Sequence, residues 1–349
     1  MGKSLNTYRK KVNSTDIAKL AGVSQATVSR VLSGRDKVKE STRLRVLKVV
    51  NEIGYRPNPF AQAMRTSQSR TVGVAVSRIT NPIVPEILEG LAESFAAFDR
   101  RLVVWNTDAE GEDGLVQGIQ SGIVDGVIFT AASHQAKAIK VAMETQTPVV
   151  SFNRYLEGAA CDQIVSTNFE GAARIARYLI RHGRRRIAFV NGPLDRTTLS
   201  DREAGFRHAL AQAGFSIPTC LYAQSEFVPA AFRQAAIDMM SSNIPPDTIA
   251  CGNDLIAIGV LNGLKSMGMQ VPDDVWVTGF DGIEMTGWDV IDLTTMRQPI
   301  DVMAADAARA LIDRIEGRYV QPKVIEYRTE FIVRGSTGRA PEIHTDEKT

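Results

Sequence analysis

From Thr71 onward, short β-branched runs alternate with stretches of helical period: TVGVAV, LVVWNT, GVIFT, PVVSF, RIAFV, TIACG and VWVTGF stand between segments whose apolar residues recur at helical spacing. Strands that alternate with helices in this way build parallel sheets covered on both faces, because a parallel pair needs a long crossover and a helix supplies it. One series ends near Ser166, a second runs from about Ile187 to Phe280, and the strand TTMRQP with a following helix comes after both. Two series predict two lobes with crossing connections and a cleft between them. Ligands of open α/β sheets lie outside the carboxyl ends of the strands. Those ends carry Ser77 to Ile83, Asn153-Arg154, Asn191-Gly192, Asn253-Asp254 and Asp281-Gly282, so polar side chains gather where a ligand would sit.

The first fifth of the chain is of a different kind. In TDIAKLAGVSQATVSRVL, residues 15–32, Ile17, Leu20 and Ala21 make one apolar face and Val28, Val31 and Leu32 another, joined by the tight Gly22-Val23-Ser24 turn. Asn13 or Ser14 can cap the first helix, Gly22 suits a left-handed stop, and Ser24 can cap the second helix. At about 100° per residue, Ala26, Ser29, Arg30 and Ser33 lie opposite the apolar stripe, flanked by Gln25 and Thr27. These side chains either enter a major groove or form the solvated face of an ordinary helix pair. Gln pairs bidentately with adenine, Arg with guanine, and Ala or the Thr methyl meets a thymine methyl.

Charge favours the groove. Residues 1–70 hold 15 Lys+Arg and 4 Asp+Glu, a net of +11, while the rest holds 26 and 35, a net of −9. The near-neutral total hides a polarised molecule whose basic end fits phosphate binding. A third helix is predicted from about Ser41 to Ile53, with Val46, Val49, Val50 and Ile53 as its stripe and Gly54 as its stop. In the following YRPNPFAQAM, Asn58 can cap a helix that begins at Pro59. That helix is too short to stand alone, so the segment is either a plain linker or a hinge that folds on DNA.

GVSQATVSRVLSG, GYRPNPFAQAM, GFRHAL, CGNDLIAIG, VPDDVWVTGFDG and TTMRQP occur in this order over about residues 13–338. Together they resemble the LacI/GalR family of bacterial transcription factors. The resemblance implies an all-α helix-turn-helix headpiece plus an α/β two-lobed periplasmic-binding-protein-like core, acting as a homodimer on a pseudo-palindromic operator under small-molecule control. The expected organisation is a headpiece over residues 12–57, a hinge helix and linker over 58–70, an N-terminal core lobe from 71–167 plus 298–327, a C-terminal core lobe from 168–297 plus 328–340, and a disordered tail over 341–349. Gln25 and Ala26 resemble the pair that selects operator bases, with Thr27, Ser29 and Arg30 beside them and Asn58 on the backbone. Met64 stands where the family inserts a leucine into the minor groove, and a methionine can serve as the same apolar wedge. The candidate DNA-contacting set is Asn13, Ser24, Gln25, Ala26, Thr27, Ser29, Arg30, Ser33, Tyr55, Asn58, Ala61 and Met64.

For the ligand, Arg202 matches the family's effector arginine by its spacing to Gly205-Phe206, Asp281 and Asn253 match polar contacts, and Phe227 matches an aromatic wall. Asn81, Ile83, Asn153 and Arg154 complete the expected effector set. The family often has Asp where this chain has Asn153, and an aromatic after Asn81-Pro82 where this chain has Ile83. A missing carboxylate leaves Arg154 and Arg202 less neutralised, which predicts a ligand more anionic than a plain hexose, a sugar acid or sugar phosphate. Replacing Arg202 is expected to spare DNA binding without ligand.

Other classes fit less well. The chain contains no run of about 18 apolar residues, so no membrane partner is expected. The polar, basic N-terminus lacks a secretory core, which argues against a periplasmic receptor and for a cytoplasmic protein. Cys161, Cys220 and Cys251 are odd in number and widely spaced, which points away from a disulfide framework. No P-loop or dinucleotide fingerprint is present and the four histidines lack metal spacing, so neither an enzyme nor a cofactor is expected. A purely architectural DNA-binding protein differs in being insensitive to ligand.

Overall fold

The computed structural model describes residues 13–32, 38–55, 68–130, 136–156, 158–318 and 321–338. The chain divides into two compact units, residues 1–69 and 70–349.

In the first unit, α1 (Ser14–Ala21), α2 (Gln25–Leu32) and α3 (Glu40–Ile53) enclose a small core of Ile17, Ala18, Ala21, Val28, Val31 and Val46. Asn13 is the cap of α1: its Oδ1 accepts from the backbone N–H of Thr15 and Asp16 at 2.9 and 3.0 Å, while Asp16 accepts from the Asn13 N–H at 3.0 Å. Gly22 ends α1 at φ 62°, a left-handed position cheap only for glycine. Ser24 Oγ then accepts from the Thr27 N–H at 3.2 Å and starts α2. One expectation fails. Leu20 is 66% exposed and Ala18 takes its place, because α1 packs against both α2 and α3 and small alanines admit the closer approach.

The second unit holds two six-stranded sheets. The first runs β11-β5-β4-β3-β1-β2, from β1 (Thr71–Val76), β2 (Arg101–Asn106), β3 (Gly126–Phe129), β4 (Val149–Phe152), β5 (Asp162–Ser166) and β11 (Val324–Tyr327). The second runs β12-β10-β9-β8-β6-β7, from β6 (Ile187–Asn191), β7 (Tyr222–Gln224), β8 (Thr248–Cys251), β9 (Trp276–Asp281), β10 (Thr294–Arg297) and β12 (Glu330–Ile332). Every pairing is parallel except that of β12 with β10. The central strands are buried on both faces, which is why they read as continuous apolar runs. On the first sheet, Val72, Val74 and Val76 pack under α4 (Ile83–Ala96), while Ala75 and Val127 pack against α6 (Asp113–Gln120) and α7 (Lys137–Glu144), α5 (Thr107–Glu110) being a single turn.

The second sheet is covered by α8 (Asn168–Arg181), α9 (Thr197–Gln212), α10 (Pro229–Met240) and α11 (Asp254–Ser266), whereas α12 (Ile300–Ile315) returns to the first. The chain passes between the sheets three times, after β5, β10 and β11, and the crossings are tied together. Ser166 Oγ donates to Gln298 Oε1 at 2.7 Å, and the Thr329 N–H donates to Thr167 Oγ1 at 3.0 Å. Gln298 Nε2 reaches on to Asp281 Oδ1 at 2.8 Å, linking the crossings to the end of β9. Among the described residues no helix is long and apolar enough to cross a membrane.

Candidate functional site

In the first unit, Gln25, Ala26 and Arg30 project from α2 into solvent, with Ser29 and Thr27 partly covered beside them. Val28 and Val31 hold the opposite face in the core. Gln25 is oriented by its neighbour: its Nε2 donates to Ser14 Oγ at 2.9 Å. Asn13 and Ser24 are engaged as helix caps, Ser24 also sharing a 2.9 Å hydrogen bond with Thr27 Oγ1, and Tyr55 is half-buried against the headpiece core. Ser33, Asn58, Ala61 and Met64, with most of the expected hinge and the expected tail, lie outside the described residues.

In the second unit, a cleft enclosing about 590 Å³, part of it open to solvent, lies at the carboxyl ends of both sheets. All eight expected effector residues line it: Asn81, Ile83, Asn153 and Arg154 from the first sheet's side, and Arg202, Phe227, Asn253 and Asp281 from the second's. Strand ends put five of them there. Ile83 opens α4 just after β1, Asn153 and Arg154 follow β4, Asn253 caps α11 after β8, and Asp281 ends β9. Three lining residues, Arg78, Asn153 and Asp281, hold positive φ of 52°, 64° and 124°. Non-glycine residues in such conformations are uncommon and gather at ligand sites.

Arg202 differs from its expected state. It is 3% exposed, and the protein already satisfies it: Nη2 meets Asp281 Oδ1 at 2.9 Å, Nε donates to Asn168 Oδ1 at 2.7 Å, and Nη1 donates to the Gly252 carbonyl at 3.0 Å. Its guanidinium also lies 3.8 Å from the centroid of the Phe280 ring. Burial lowers the Arg202 pKa and the Asp281 charge opposes that shift. The expectation that Arg202 is poorly neutralised is therefore corrected, because Asp281 supplies the missing carboxylate from the neighbouring strand end. Asp254 lies behind this pair, accepting from the Gly282 and Ile283 N–H groups at 2.7 and 3.0 Å and from Thr295 Oγ1 at 2.6 Å. Burial first, and Asp281 second, push the Asp254 pKa up.

Asn253 serves two ends. Its Oδ1 accepts from the Ile256 N–H at 2.9 Å as the cap of α11, while the residue borders the cleft. Phe227 forms a wall, with the Arg78 guanidinium 5.1 Å from its ring centroid and Arg78 Nη1 donating to its carbonyl at 3.3 Å. Ser77, Arg78, Thr130, Arg196 and Thr198 also line the cleft and were not among the expected effector residues. Arg78 stands directly after the polar end of β1, a signal present in the sequence. Arg196 carries no local signal, since it precedes α9 in a loop whose path only the fold reveals.

The description "Bacterial regulatory proteins, lacI family" matches residues 15–58, and "Periplasmic binding protein-like domain" matches residues 176–337. The HTH-type transcriptional repressor PurR of Vibrio campbellii is 29% identical over 325 residues, 92% of this chain and 97% of that protein. The chain belongs to the LacI/GalR family of transcriptional regulators. Structural likeness follows this LacI/GalR assignment: a transcriptional regulator CelR–cellobiose complex superposes with a TM-score of 0.71 at 27% identity, covering 93% of this chain and 99% of that one. The lac repressor dimer bound to operator and the anti-inducer ONPF shares the fold, with a TM-score of 0.84 at 24% identity over 95% and 100% of the two chains. As a LacI/GalR regulator the protein is a DNA-binding transcription factor and not an enzyme.

Proposed function

We propose that the chain is a cytoplasmic repressor that binds a pseudo-palindromic operator as a homodimer and responds to a sugar, sugar acid or sugar phosphate held in the cleft. On this reading residues 12–57 are the headpiece, 58–70 the hinge and linker, and 71–340 the two-lobed core, with the lobe boundaries predicted from the sequence. The observation that carries it is the convergence of eight sequence-chosen residues on one cleft, from both sheets. Gln25, Ala26 and Arg30 would read base edges, and Asn58, Ala61 and Met64 would form the hinge and wedge. Relatives whose names include repressor and structures described with cellobiose or with operator and anti-inducer support the same reading.

A cleft ligand changes operator affinity only through its differential affinity for the DNA-competent and incompetent arrangements, and a coupling of about 1–3 kcal/mol changes binding 5- to 150-fold. The test is selection of a binding site from random duplexes by the full-length protein, followed by titration of the selected DNA with and without a ligand found by thermal shift. A pseudo-palindromic site and a ligand-dependent Kd are expected. Binding that selects no sequence, or that no cleft ligand alters, refutes the reading.

A further inference from the structure

We propose, resting on the reading of the cleft as a ligand site, that Arg78 is a positioning residue for the ligand. From the end of β1 it reaches across the cleft and holds Phe227, on the opposite lobe, as the wall against which the ligand stacks. Ligand binding is thereby tied to the relation between the two lobes.

The sequence of contacts starts in the backbone. Ser77 and Arg78 follow β1, and Arg78 turns the chain at φ 52°, the turn being closed by the Asn81 N–H donating to the Arg78 carbonyl at 2.8 Å. A left-handed arginine costs energy that a glycine would avoid, and such positions persist where the side chain has a task. Here the task is visible. Arg78 Nη1 donates to the Phe227 carbonyl at 3.3 Å, and the guanidinium carbon lies 5.1 Å from the centroid of the same ring, within range of a cation–π contact. One side chain of the first lobe therefore holds both the backbone and the ring of Phe227. Its Nε is buried without a hydrogen-bond partner among the described residues, a donor left for an oxygen of whatever lies against the ring.

Phe227 is placed where such a hold matters. It sits in the loop 225–228 between β7 and α10, followed by the half-exposed Val228. Its own lobe supports one side of the ring: Phe232 meets it edge-on at 6.2 Å between centroids, and Gly192 makes room for it, since a Cβ there would stand 3.0 Å from Phe227 Cζ. The hydrogen bond to its carbonyl comes from the other lobe. Ser77, the residue before Arg78, is also tied across the cleft, its Oγ accepting from Arg196 Nη1 at 3.0 Å. Two adjacent residues of the first lobe are thus fastened to the second. A ligand stacked on Phe227 favours the arrangement in which these bonds exist, and by linkage that preference is what DNA binding can sense.

The experiment uses the full-length protein as wild type, Arg78→Ala, Arg78→Lys, Phe227→Ala and the double variant of the two alanine substitutions. Thermal shift with D-glucose, D-ribose, D-gluconate and glucose 6-phosphate selects the compound that stabilises wild type most, and calorimetry measures its affinity in each variant. Expected are binding about tenfold weaker in Arg78→Ala, partial recovery in Arg78→Lys, which keeps a cation and a donor, and a much smaller loss from the same alanine once Phe227 is gone. At saturating ligand, where affinity differences no longer enter, the ligand-induced change in operator Kd is smaller in Arg78→Ala than in wild type. A residue that only stabilises the fold would leave that response intact. Unchanged affinity in folded Arg78→Ala, an equal loss with and without Phe227, or a wild-type operator response at saturation overturns the proposal, and if Phe227→Ala still weakens binding the cleft reading stands. A compound whose binding neither alanine substitution alters, or no stabilisation by any of the four, overturns both.

Discussion

Arg202 and Asp281 form a buried ion pair, Nη2 to Oδ1 at 2.9 Å with 3% and 4% of the side chains exposed, at the floor of the cleft between the two sheets. A pair in this setting is costly to break, because removal of one partner strands a charge where water cannot reach it. Arg202→Ala is expected to destabilise the core by about 3–5 kcal/mol, read by urea denaturation. The same substitution is therefore a poor probe of ligand contact, and loss of DNA binding in it reflects folding. The double variant Arg202→Met with Asp281→Leu, which leaves no charge stranded, should be less destabilised than Arg202→Ala. Equal losses would show that the packing of the guanidinium on Phe280, and not the pair, carries the stability.

The carboxylates at this floor set a pH dependence of definite sign. Burial raises the pKa of both Asp254 and Asp281 above the usual carboxylate range. Between the unfolded and the raised folded values the native state binds more protons than the unfolded state, so stability falls as pH rises across that window. The contribution is present below it and lost above it. Asp254→Asn, which keeps an acceptor for the Gly282 and Ile283 N–H groups, is expected to flatten this slope. Melting temperatures measured from about pH 5 to about pH 7 check it, and an unchanged slope in the variant would assign the dependence to other groups.

The sequence made much of the cleft legible because Asn153, Arg154, Asn253 and Asp281 are anchored to strand ends that apolar runs announce, while Arg202, within α9, and Phe227 were found only through the family resemblance. Asn153 follows PVVSF and Asp281 follows VWVTGF, so their positions need no tertiary knowledge. What could not be read was who pairs with whom. Asp281 neutralises Arg202 only because β9 and α9 meet in space, and Arg196 enters the cleft only because the loop after β6 turns back toward Ser77. Strands β7, β11 and β12 also escaped, being three or four residues long with little burial and no alternation. In the headpiece, helical spacing placed Leu20 inside, yet spacing alone leaves the centre of the buried face free to rotate by one residue, and the packing of two neighbours on α1 selected Ala18.

Ser14 holds the Gln25 amide through its hydroxyl at 2.9 Å, so α1 sets the direction of the side chain proposed to read a base. Gln25→Ala is expected to relax discrimination at one operator position by about 1–3 kcal/mol, whereas Ser14→Ala should relax the same position by less and leave the salt slope of binding unchanged. Fluorescence anisotropy against single-base variants of the selected site provides the measurement. If Ser14→Ala weakens all sites equally, its role is in the stability of the headpiece.

Gly205 lies where α8 and α9 cross, and a Cβ built there would come within 2.0 Å of the Phe169 carbonyl oxygen. The obstacle is backbone, which cannot swing aside as a flexible side chain does. Gly205→Ala must push the helices apart, and overpacking of this kind costs about 1–3 kcal/mol or more. Because α9 also carries Arg196 at its start and Arg202 in its second turn, separation of the helices moves both guanidiniums relative to the first sheet. The expected result is a lowered melting temperature together with weakened binding of the cleft ligand in folded protein, while Ala209→Gly, on the same helix but away from the cleft, lowers stability alone. Parallel melting and titration of the two variants separates the effects, and intact binding in folded Gly205→Ala would show that the cleft tolerates displacement of α9.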